Sequence, residues 1–442
     1  MNQIAIVGCG PAGLSAAVAL HDAGFPVTLF ERFDEAAPVG SGLMLQPTGL
    51  TVLEQLGLRD KVEQLGQRID GMKGRIVPNG KTVLDIRYKT VSSELYGLAI
   101  HRASLFHVLY RAVADRGIRI ETGHDINNVV PLQTPPDSPY SVALVTASGT
   151  TIERPFNLVV DASGSHSRIV ANHVKTKRTA LAYGALWATV KLGSTGFSRN
   201  LLEQRYRRAS VMAGVLPCGR LPDDSTEVAT FFWSLKSNEH RPLLQTGIDK
   251  WKQQVISIWP SLELLTDQLY DFNDLTYASY AHHTLKIPYR KNIVFIGDAA
   301  HSTSPQLGQG VNMALLDAVA LTSALTVAQK AEYTGKHSKR NKQGFAEQSL
   351  PLYARARQRH VRLFQAASYF LTPFYQSDAV VLPLLRDALF EPVAKLPYAN
   401  KLITSLGSGL LARPFESIAK ISGENQPELL FRTGKTTPDK KQ

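Results

Sequence analysis

The hydrophobic pattern is clearest at the N-terminal end of the chain. Residues 3 to 7 form a short apolar run that Gly8 ends, which is typical of a buried parallel strand. Residues 12 to 23 carry Ala and Leu at helical spacing, and residues 27 to 30 form a second apolar run that ends at Glu31. The pattern predicts a strand, a helix and a second strand in succession, which is the start of an α/β fold.

The middle of the chain follows a different pattern. Strand-like runs dominate between residues 178 and 285, and one helical stretch at about 246–259 interrupts them. The runs cover residues 186–192, 209–216, 228–235 and 277–287. They predict an antiparallel sheet.

Towards the C-terminus the pattern becomes helical. Residues 350 to 369 have helical spacing, and further helical pieces cover about 379 to 411, broken by prolines. These pieces mix apolar positions with the basic residues Arg386, Lys395, Lys401 and Arg413. Two interpretations stay open: packing against the body or a second copy, or a lid or membrane-facing surface over an apolar substrate.

The loop between the first strand and helix carries the pattern Gly8-x-Gly10-x-x-Gly13. The first glycine permits a tight turn, the second lets backbone approach a phosphate, and the third lets helix and strand pack closely. The helix start offers free N–H groups to a pyrophosphate. Glu31, about twenty residues further on, can accept hydrogen bonds from a ribose. This segment predicts a dinucleotide site.

A second segment near residue 300 complements the first. A buried strand over residues 292–297 ends here, so Asp298 lies where open α/β sheets place ligand contacts. Gly308 and Gly310 allow a tight turn into a helix over about 311–328, whose start can stabilise negative charge on a reduced ring system. Asn312 can donate and accept hydrogen bonds, as a flavin edge requires. Together the two segments predict FAD and redox chemistry.

On these residues the chain resembles the FAD-dependent aromatic hydroxylases, which are para-hydroxybenzoate hydroxylase-like flavin monooxygenases with ubiquinone-biosynthesis hydroxylases among their relatives. The resemblance covers roughly residues 1–325 and more loosely 350–413. Its motifs are Gly8, Gly10 and Gly13 with Glu31; residues 40–47 and 53–58; His101-Arg102 with Leu105 and Leu109; and Gly297-Asp298 through Asn312 and Asp317. The last motif is the most specific of the four.

The resemblance implies an α/β fold with a Rossmann-like FAD-binding domain that opens with a βαβ unit, an antiparallel-sheet substrate domain and C-terminal helices. The FAD-binding domain is expected over residues 1–177, discontinuous with 275–330, and the substrate domain over 178–285. A helical region is expected over 350–413, and the polar residues 420–442 predict a disordered tail.

The resemblance also implies the activity. It is that of an FAD-dependent monooxygenase that inserts one oxygen atom of O2 into an aromatic, quinone-like or polycyclic hydrophobic substrate through a flavin C4a-hydroperoxide, with NADH or NADPH as reductant. Because the cofactor carries this chemistry, no metal and no side-chain nucleophile is expected. The expected cofactor-binding residues are Gly8, Gly10, Pro11, Ala12, Gly13, Glu31, Arg32, Gly42, Leu43, Arg102, Asp161, Gly164, Asp298, Pro305, Gly308, Gly310, Val311 and Asn312.

One segment departs from the family pattern. Ser163 stands before Gly164 where the family's middle motif has an Asp, and Val170 stands where an Arg is frequent. Asp161 and Arg168 are close enough in sequence to compensate. The departure does not change the expectation of FAD, but it weakens the expectation that NAD(P)H reduces the flavin directly.

Catalytic side chains are harder to name. His282, His283 and Tyr183 are candidates for orienting or deprotonating a phenol, although each also suits a structural role. His301 is expected to support the turn after Asp298 rather than to act as a base.

Composition narrows the class further. A hydrophobic content of 44% and a charged content of 19% are ordinary for a globular protein. Cys9 and Cys218 form no disulfide framework, and Cys9 is expected to be a small buried spacer. The net charge of +12 comes without a nucleic-acid-binding module, and part of it lies in residues 330–342.

We expect no secretory signal and no apolar run as long as a membrane-spanning helix. The expected location is therefore the cytoplasm, with peripheral contact at the inner membrane surface as an alternative. Either a monomer or a homodimer is expected.

Two other function classes stay open. A flavin reductase, dehydrogenase or halogenase can use the same scaffold, but the Trp-x-Trp-x-Ile-Pro segment typical of halogenases surrounds none of the four tryptophans. A non-enzymatic carrier similar to prenyl-protein escort proteins is disfavoured because both FAD segments are present.

Overall fold

The computed structural model describes residues 2–38, 40–132, 141–333, 344–394 and 396–422. Most of the expected tail at 420–442 and most of the basic stretch at 330–342 lie outside these residues. Residues 420–422 of that tail are described and belong to the helix Pro414–Ser422.

The strands are numbered in chain order. They are β1 (Ile4–Val7), β2 (Val27–Phe30), β3 (Gly42–Leu45), β4 (Gln67–Ile69), β5 (Gly71–Ile76), β6 (Thr82–Arg87), β7 (Gly97–His101), β8 (Arg119–Glu121), β9 (Ile126–Pro131), β10 (Val142–Thr146), β11 (Thr151–Phe156), β12 (Leu158–Asp161), β13 (Thr179–Lys191), β14 (Leu201–Arg207), β15 (Val211–Arg220), β16 (Glu227–Lys236), β17 (Thr276–His282), β18 (Tyr289–Arg290) and β19 (Ile293–Phe295).

The α-helices follow the same convention. They are α1 (Pro11–Asp22), α2 (Pro47–Gln55), α3 (Arg59–Leu65), α4 (Arg102–Asp115), α5 (Arg168–His173), α6 (His240–Leu244), α7 (Ile248–Ile258), α8 (Glu263–Thr266), α9 (Asp298–His301), α10 (Gly310–Tyr333), α11 (Phe345–Tyr375), α12 (Val381–Ala394), α13 (Pro397–Gly407) and α14 (Pro414–Ser422).

The first sheet has six strands in the order β18-β19-β12-β1-β2-β8. All its pairs are parallel except β18 with β19 at one edge. The apolar run of β1 is fully buried because the strand lies inside the sheet, with helices on one face and the strands β9, β10 and β11 with α5 on the other. The predicted βαβ start is confirmed, and β1, β2 and β12 all end at the same edge of the sheet.

The second large sheet has seven strands in the order β17-β13-β16-β15-β14-β5-β6. Its pairs are antiparallel except β14 with β5. The antiparallel sheet expected after residue 178 is present, but β5 and β6 join it from the region assigned to the FAD-binding domain. The mixed polar sequence of β14 gave no strand signal, so this junction was missed. Two three-stranded sheets, β11-β10-β9 and β3-β7-β4, complete the described strands.

Helix α10 corrects one expectation about membrane segments. Among the described helices it alone is long and apolar enough over Gly310–Ala331 to cross a bilayer, although the sequence was expected to hold no such run. Most of this stretch is buried, and the helix contacts α1, α2 and α11. A helix that neighbours cover on several sides needs apolar residues all round, so its composition serves the core.

A buried carboxylate on α10 joins three elements. Asp317 Oδ2 accepts hydrogen bonds from the Gly297 N–H (2.8 Å) and from His301 Nε2 (2.6 Å), and Oδ1 accepts one from Arg357 Nε on α11 (2.7 Å). Burial alone would raise the pKa of Asp317, but the charges of His301 and Arg357 outweigh it and bring the pKa to about 2. His301 therefore supports the turn before α10, as the sequence analysis expected.

His360 extends this cluster by one helical turn. Its Nε2 donates to the Gly409 carbonyl (3.1 Å), which leaves Nδ1 to accept from Arg357 Nη1 (3.4 Å). Burial and the adjacent Arg357 charge lower the pKa of His360 to about 3. The imidazole is therefore buried in its neutral form.

Because the His360 imidazole is buried in its neutral form, the stability of the protein is expected to fall as the solution becomes acidic. Between pH 6.5, where the unfolded His360 takes up a proton, and about pH 3, only the unfolded state is protonated, so the free energy of unfolding falls as the pH falls. The loss at pH 5 relative to pH 7 is about 2 kcal/mol from this group. Asp317, with its lowered pKa, adds its own loss only below pH 3.8.

His360→Gln keeps a donor for Gly409 but does not titrate, so its stability should fall less between pH 7 and pH 5 than that of the unsubstituted protein. Urea unfolding at both pH values measures the difference. Equal losses in the two proteins would show that His360 is not the titrating group.

Candidate cofactor and substrate cavity

One large cavity of about 830 Å³ lies against both large sheets. Part of its lining comes from the carboxyl ends of β1, β2 and β12 and from the start of α10. The rest comes from the seven-stranded sheet and from α11, α12 and α13. The volume is near the upper end of the range for ligand sites, about 300–1,000 Å³. The cavity therefore has a cofactor part at the strand ends and a substrate part under the second sheet.

Most of the residues expected to bind a cofactor meet at this cavity, although they come from six separate segments. The lining includes Gly8, Gly10, Pro11, Ala12, Glu31, Arg32, Gly42, Leu43, Arg102, Gly164, Asp298, Pro305, Gly308, Gly310 and Val311. Gly13, Asp161 and Asn312 do not line it.

The glycine loop has the geometry that its pattern predicted. Gly8 has φ +103°, and a Cβ on Gly13 would lie 1.9 Å from the Gly8 carbonyl oxygen, so neither position accepts a side chain. A Cβ on Gly10 would meet no atom within 4 Å and would project into open space. No side chain caps the start of α1, so its first N–H groups are free for an anion. Burial raises the pKa of the Cys9 thiol to about 12, which suits an inert spacer.

Glu31 lies directly beside this loop. Its Oε2 accepts a hydrogen bond from the Cys9 N–H (2.8 Å), and Oε1 accepts one from the Arg32 N–H (2.9 Å). Oε1 also accepts a hydrogen bond from the Phe33 N–H (3.3 Å), so Oε2 is the oxygen that keeps a further lone pair. The carboxylate is buried yet lines the cavity. These contacts hold the acceptor in place for a ribose hydroxyl.

Arg102 begins α4 at the edge of the cavity, and its backbone N–H donates to the Ser41 carbonyl (3.0 Å). Within the described residues its guanidinium has no hydrogen-bond or ion-pair partner. A Cβ on Gly40 would lie 3.2 Å from Arg102 Nε, so the loop before β3 passes close to this group. An unpaired guanidinium here suits a phosphate.

Asn312 takes a different role from the expected contact with a flavin edge. Its Oδ1 accepts from the Gln46 N–H (2.8 Å), and its Nδ2 donates to the carbonyls of Met44 (3.1 Å) and Gly308 (2.9 Å). The amide is fully buried and committed to backbone groups. Asn312 therefore ties the loop after β3 to the turn at Gly308 and shapes the cavity wall from behind.

Asp161 also lies behind the cavity. Its Oδ1 accepts from the Ser163 N–H (3.0 Å) and Ser163 Oγ (2.6 Å), and its Oδ2 accepts from Ser167 Oγ. Burial raises the pKa of Asp161, although these hydrogen bonds act in the opposite direction. Ser163 and Gly164 reach the lining instead. The expected direct contact of Asp161 is thus replaced by support of the Ser163 loop.

None of the three catalytic candidates lines the cavity. The His283 ring bonds the Ala299 carbonyl (3.1 Å), and Tyr183 donates to Asp378 (2.7 Å). His282 packs edge-to-face with Tyr369. Burial lowers the pKa of both histidines and raises that of Tyr183. Each candidate has the structural role that was its alternative.

Two aromatic side chains that were not predicted from the sequence face the cavity. Trp187 on β13 donates from Nε1 to the hydroxyl of Tyr280 on β17 (2.8 Å), and both residues line the cavity. Burial raises the pKa of Tyr280, so its hydroxyl stays protonated. Period-two alternation within the predicted strands marks positions 185 and 187, and 278 and 280, as pairs on one face. That signal could have found them.

Comparison with known proteins decides the family. Residues 1–341 match the model of the FAD binding domain family. The chain belongs to this family. The predictions of an FAD cofactor and of an enzyme of the FAD-dependent monooxygenase class are confirmed at this level. Within the described residues no group of three or more His, Cys, Asp or Glu is arranged to hold a metal ion.

Individual relatives agree with this assignment. The chain is 27% identical to 3-amino-4-hydroxybenzoate 2-monooxygenase of Streptomyces cremeus, over 73% of this chain and 78% of the relative. It is 26% identical to FAD-dependent monooxygenase janM of Penicillium janthinellum, over 93% and 84%. The structure of Klebsiella pneumoniae HpxO complexed with FAD and uric acid superposes with a TM-score of 0.72 at 18% identity, over 92% and 97%.

The cavity fits FAD on its own geometry. The open space at Gly10 and the uncapped start of α1 would receive the pyrophosphate, and Glu31 would receive a ribose. Arg102 adds positive charge at the edge of the cavity. Asp298 and the start of α10 would face the remaining part of the FAD molecule. When bound, the flavin supplies the electrons and the oxygen activation.

A pair of glycine variants separates folding from cofactor binding. Gly13→Ala forces a Cβ against the Gly8 carbonyl and should cost about 1–3 kcal/mol of stability, because the overlap is with backbone. Gly10→Ala should leave the stability of the apoprotein within about 0.5 kcal/mol but lower FAD retention, because its methyl group enters the phosphate space. Thermal unfolding and flavin absorbance measure the two effects, and a Gly10→Ala protein with full flavin content would contradict this placement of the cofactor.

Arg102→Ala should weaken FAD binding by about 1.5–3 kcal/mol, the usual range for a hydrogen bond to a charged group. Arg116→Ala is the matched control because Arg116 lies at the opposite end of the same helix, pairs with Asp22 and does not line the cavity. Titration of the apoproteins with FAD measures both. Equal affinities for Arg102→Ala and Arg116→Ala would remove Arg102 from the site.

Proposed function

We propose that this enzyme hydroxylates a predominantly apolar aromatic substrate that carries no carboxylate. The observation that carries the proposal is the lining of the substrate part of the cavity. Its large side chains come from the seven-stranded sheet and the C-terminal helices: Met72, Ile86, Leu202, Met212, Leu216, Phe232, Leu371, Phe390, Ile403 and Leu406. Burial of an aromatic ring against such a wall is driven by the hydrophobic effect.

The charges that line the cavity favour a substrate without a carboxylate. The cationic side chains in the described lining are Arg32, Arg102 and Arg168, and all three lie in segments of the cofactor part. The substrate part contributes Asp85 instead, which pairs with Arg87. An anionic substrate would lose its hydration there without gaining a cationic partner, so it would bind poorly.

Gln376 gives the substrate one polar contact. It follows the end of α11, lines the cavity and is buried, and neither its Oε1 nor its Nε2 has a hydrogen-bond partner among the described residues. An unsatisfied buried polar group costs about 1–3 kcal/mol, so a substrate carbonyl or hydroxyl that pairs with it gains that amount. A neutral oxygen substituent on the ring meets this requirement.

Tyr280 would act on an oxygen substituent as a hydrogen-bond donor. Its hydroxyl accepts from Trp187 and keeps its own proton free, and burial holds it in the neutral form. The geometry thus orients a phenol or quinone oxygen without removing a proton. The surrounding apolar wall excludes water from the reacting ring.

The proposed reductant is NADH or NADPH, and the proposed location is the cytoplasm. Ser163 and Gly164 stand at the cavity where the family motif has Asp and Gly, and Asp161 supports them from below. The loop that carries Ser163 and Gly164 therefore still lines the cavity beside its cofactor part. Direct reduction by the nicotinamide is expected to be faster with substrate bound.

The test compares neutral phenols with a carboxylated one. NADH or NADPH oxidation, oxygen uptake and product mass should show turnover of 1-naphthol or 4-hydroxybiphenyl, with one oxygen atom added, and weak or no turnover of 4-hydroxybenzoate. A preference for 4-hydroxybenzoate would overturn the proposed substrate class. Anaerobic flavin bleaching that needs a separate reductase, with neither nicotinamide effective, would overturn direct reduction.

Gln376→Leu should raise the KM for the preferred phenol about tenfold, because one hydrogen bond to substrate is lost while the apolar volume is kept. Gln365→Leu is the control, since Gln365 lies on the same helix but does not line the cavity. An unchanged KM in Gln376→Leu would show that the amide does not contact the substrate.

A further inference from the structure

Helix α12 is amphipathic, but its apolar side faces away from the protein. The exposed positions Val381, Leu384, Leu385, Leu389 and Val393 recur at spacings of three and four residues and form one continuous stripe. Leu384 is 63% exposed. Soluble proteins rarely leave a stripe of this kind uncovered unless it is an interaction surface.

The inward side of the same helix carries the charge. Arg386 is fully buried, and its guanidinium lies over the rings of Tyr206 and Tyr375 at 5.2 and 5.4 Å. Its carboxylate partner is Asp387 (2.8 Å). The helix therefore keeps a cation inside and leucines outside, which is the reverse of a helix that faces water.

The stripe continues onto the neighbouring helices. Phe374 of α11 packs on Phe390 of α12 with ring centroids 5.4 Å apart, and Tyr369 and Phe370 stay exposed at that end of α11. On the other side Tyr398 of α13 is 92% exposed. Aromatic side chains with one polar tip suit the boundary between lipid and water.

A basic band adjoins the apolar end. Arg355, Arg359 and Arg362 are exposed on α11, on the same helical face as Tyr369 and Phe370. No hydrogen-bond or ion-pair partner exists for these three guanidiniums within the described part of the chain. Anionic headgroups would complement this band, whereas a second copy of the chain would bring a further set of the same charges.

We infer that the exposed face of α11, α12 and α13 docks on an anionic bilayer surface, with α12 lying in the interfacial plane. Helix α12 has 14 residues, which is too short to span a bilayer and suits an interfacial helix. Leu389 and its neighbours enter the acyl region while the arginine band meets the headgroups.

The docking face is also continuous with the cavity wall. Val393 is both exposed on the stripe and part of the cavity lining, and Leu371 lines the cavity next to the exposed Phe370. An apolar substrate dissolved in the bilayer would then meet the thinnest part of the wall at α12. This entry route rests on the proposed function, whereas docking rests on the surface alone.

The test is co-sedimentation of the FAD-loaded enzyme with vesicles, without substrate. Vesicles of phosphatidylcholine with phosphatidylglycerol should bind the enzyme more tightly at low salt than at high salt, and more tightly than phosphatidylcholine alone. The double substitution Leu384→Glu with Leu389→Glu should lower this binding about tenfold or more. Leu264→Glu is the matched control, because Leu264 is 58% exposed but lies on α8.

A second variant separates the two contributions. Replacement of Arg355, Arg359 and Arg362 by Gln should abolish the preference for anionic vesicles and leave the apolar contribution. Flavin absorbance and thermal unfolding check that each variant is folded, and lowered hydrogen exchange in α12 on vesicle addition gives a readout that needs no substitution.

Failure of the unsubstituted enzyme to bind either kind of vesicle overturns the proposal, as does an equal loss of vesicle binding in Leu264→Glu. A solution dimer that Leu389→Glu dissociates, without vesicle binding, assigns the face to a second copy instead. Because no substrate is present, these outcomes are independent of the proposed reaction.

Discussion

The carboxylate of Asp317 is the constraint on which the arrangement of the cavity depends. It accepts hydrogen bonds from the Gly297 N–H, from His301 and from Arg357, so it fixes the turn after β19 and the long helix α11 to one point on α10. Gly297 has φ +57°, and a Cβ there would lie 3.0 Å from that of Ala12. The turn that presents Asp298 to the cavity is therefore pressed against the glycine-loop helix while the carboxylate holds it. Removal of one partner from such a buried charged cluster typically costs about 3–5 kcal/mol.

The same cluster explains why the C-terminal helices belong to the active site. Arg357 joins α11 to the FAD-binding half, and His360 joins it to Gly409 beyond α13. With α11 fixed at this point, its far end carries Leu371, Tyr375 and Gln376 into the substrate part of the cavity. The cofactor half and the substrate wall are thus positioned by one buried network rather than by two independent domains.

The local sequence predicts part of the fold and of the candidate site, whereas other parts depend on contacts between distant segments. The glycine loop, Glu31 and Asp298 were predictable because each acts within one strand–turn–helix unit whose backbone needs are written in adjacent residues. The side chains of Asn312 and Asp161 brace loops and do not line the cavity. A polar side chain near a ligand site has the same local signature whether it faces the ligand or supports the loop in front of it. Only the partners from other segments, Gln46 and Met44 for Asn312, distinguish the two roles. Period-two alternation places Tyr280 on one face of β17 but does not say what that face meets. Gln376 gave no local signal of function, since its role arises only when the end of α11 reaches the cavity. The junction of β14 with β5 was missed likewise, because pairing between distant strands is a tertiary event.

The C-terminal helices show how one short segment can satisfy two opposite requirements. A wall around an apolar substrate must be apolar inside, and a helix at a lipid surface must be apolar outside. Helix α12 has both features, because Phe390 and Val393 contribute to the inner wall while the leucine stripe faces out, and the inward Arg386 lies over two tyrosine rings. The packing of α12 on the body rests on Phe374 with Phe390 and on the buried Arg386, whose guanidinium donates to the Phe374 carbonyl and lies over the rings of Tyr206 and Tyr375. Aromatic and cation–π contacts therefore hold the helix from the inside, which leaves its outward leucines exposed.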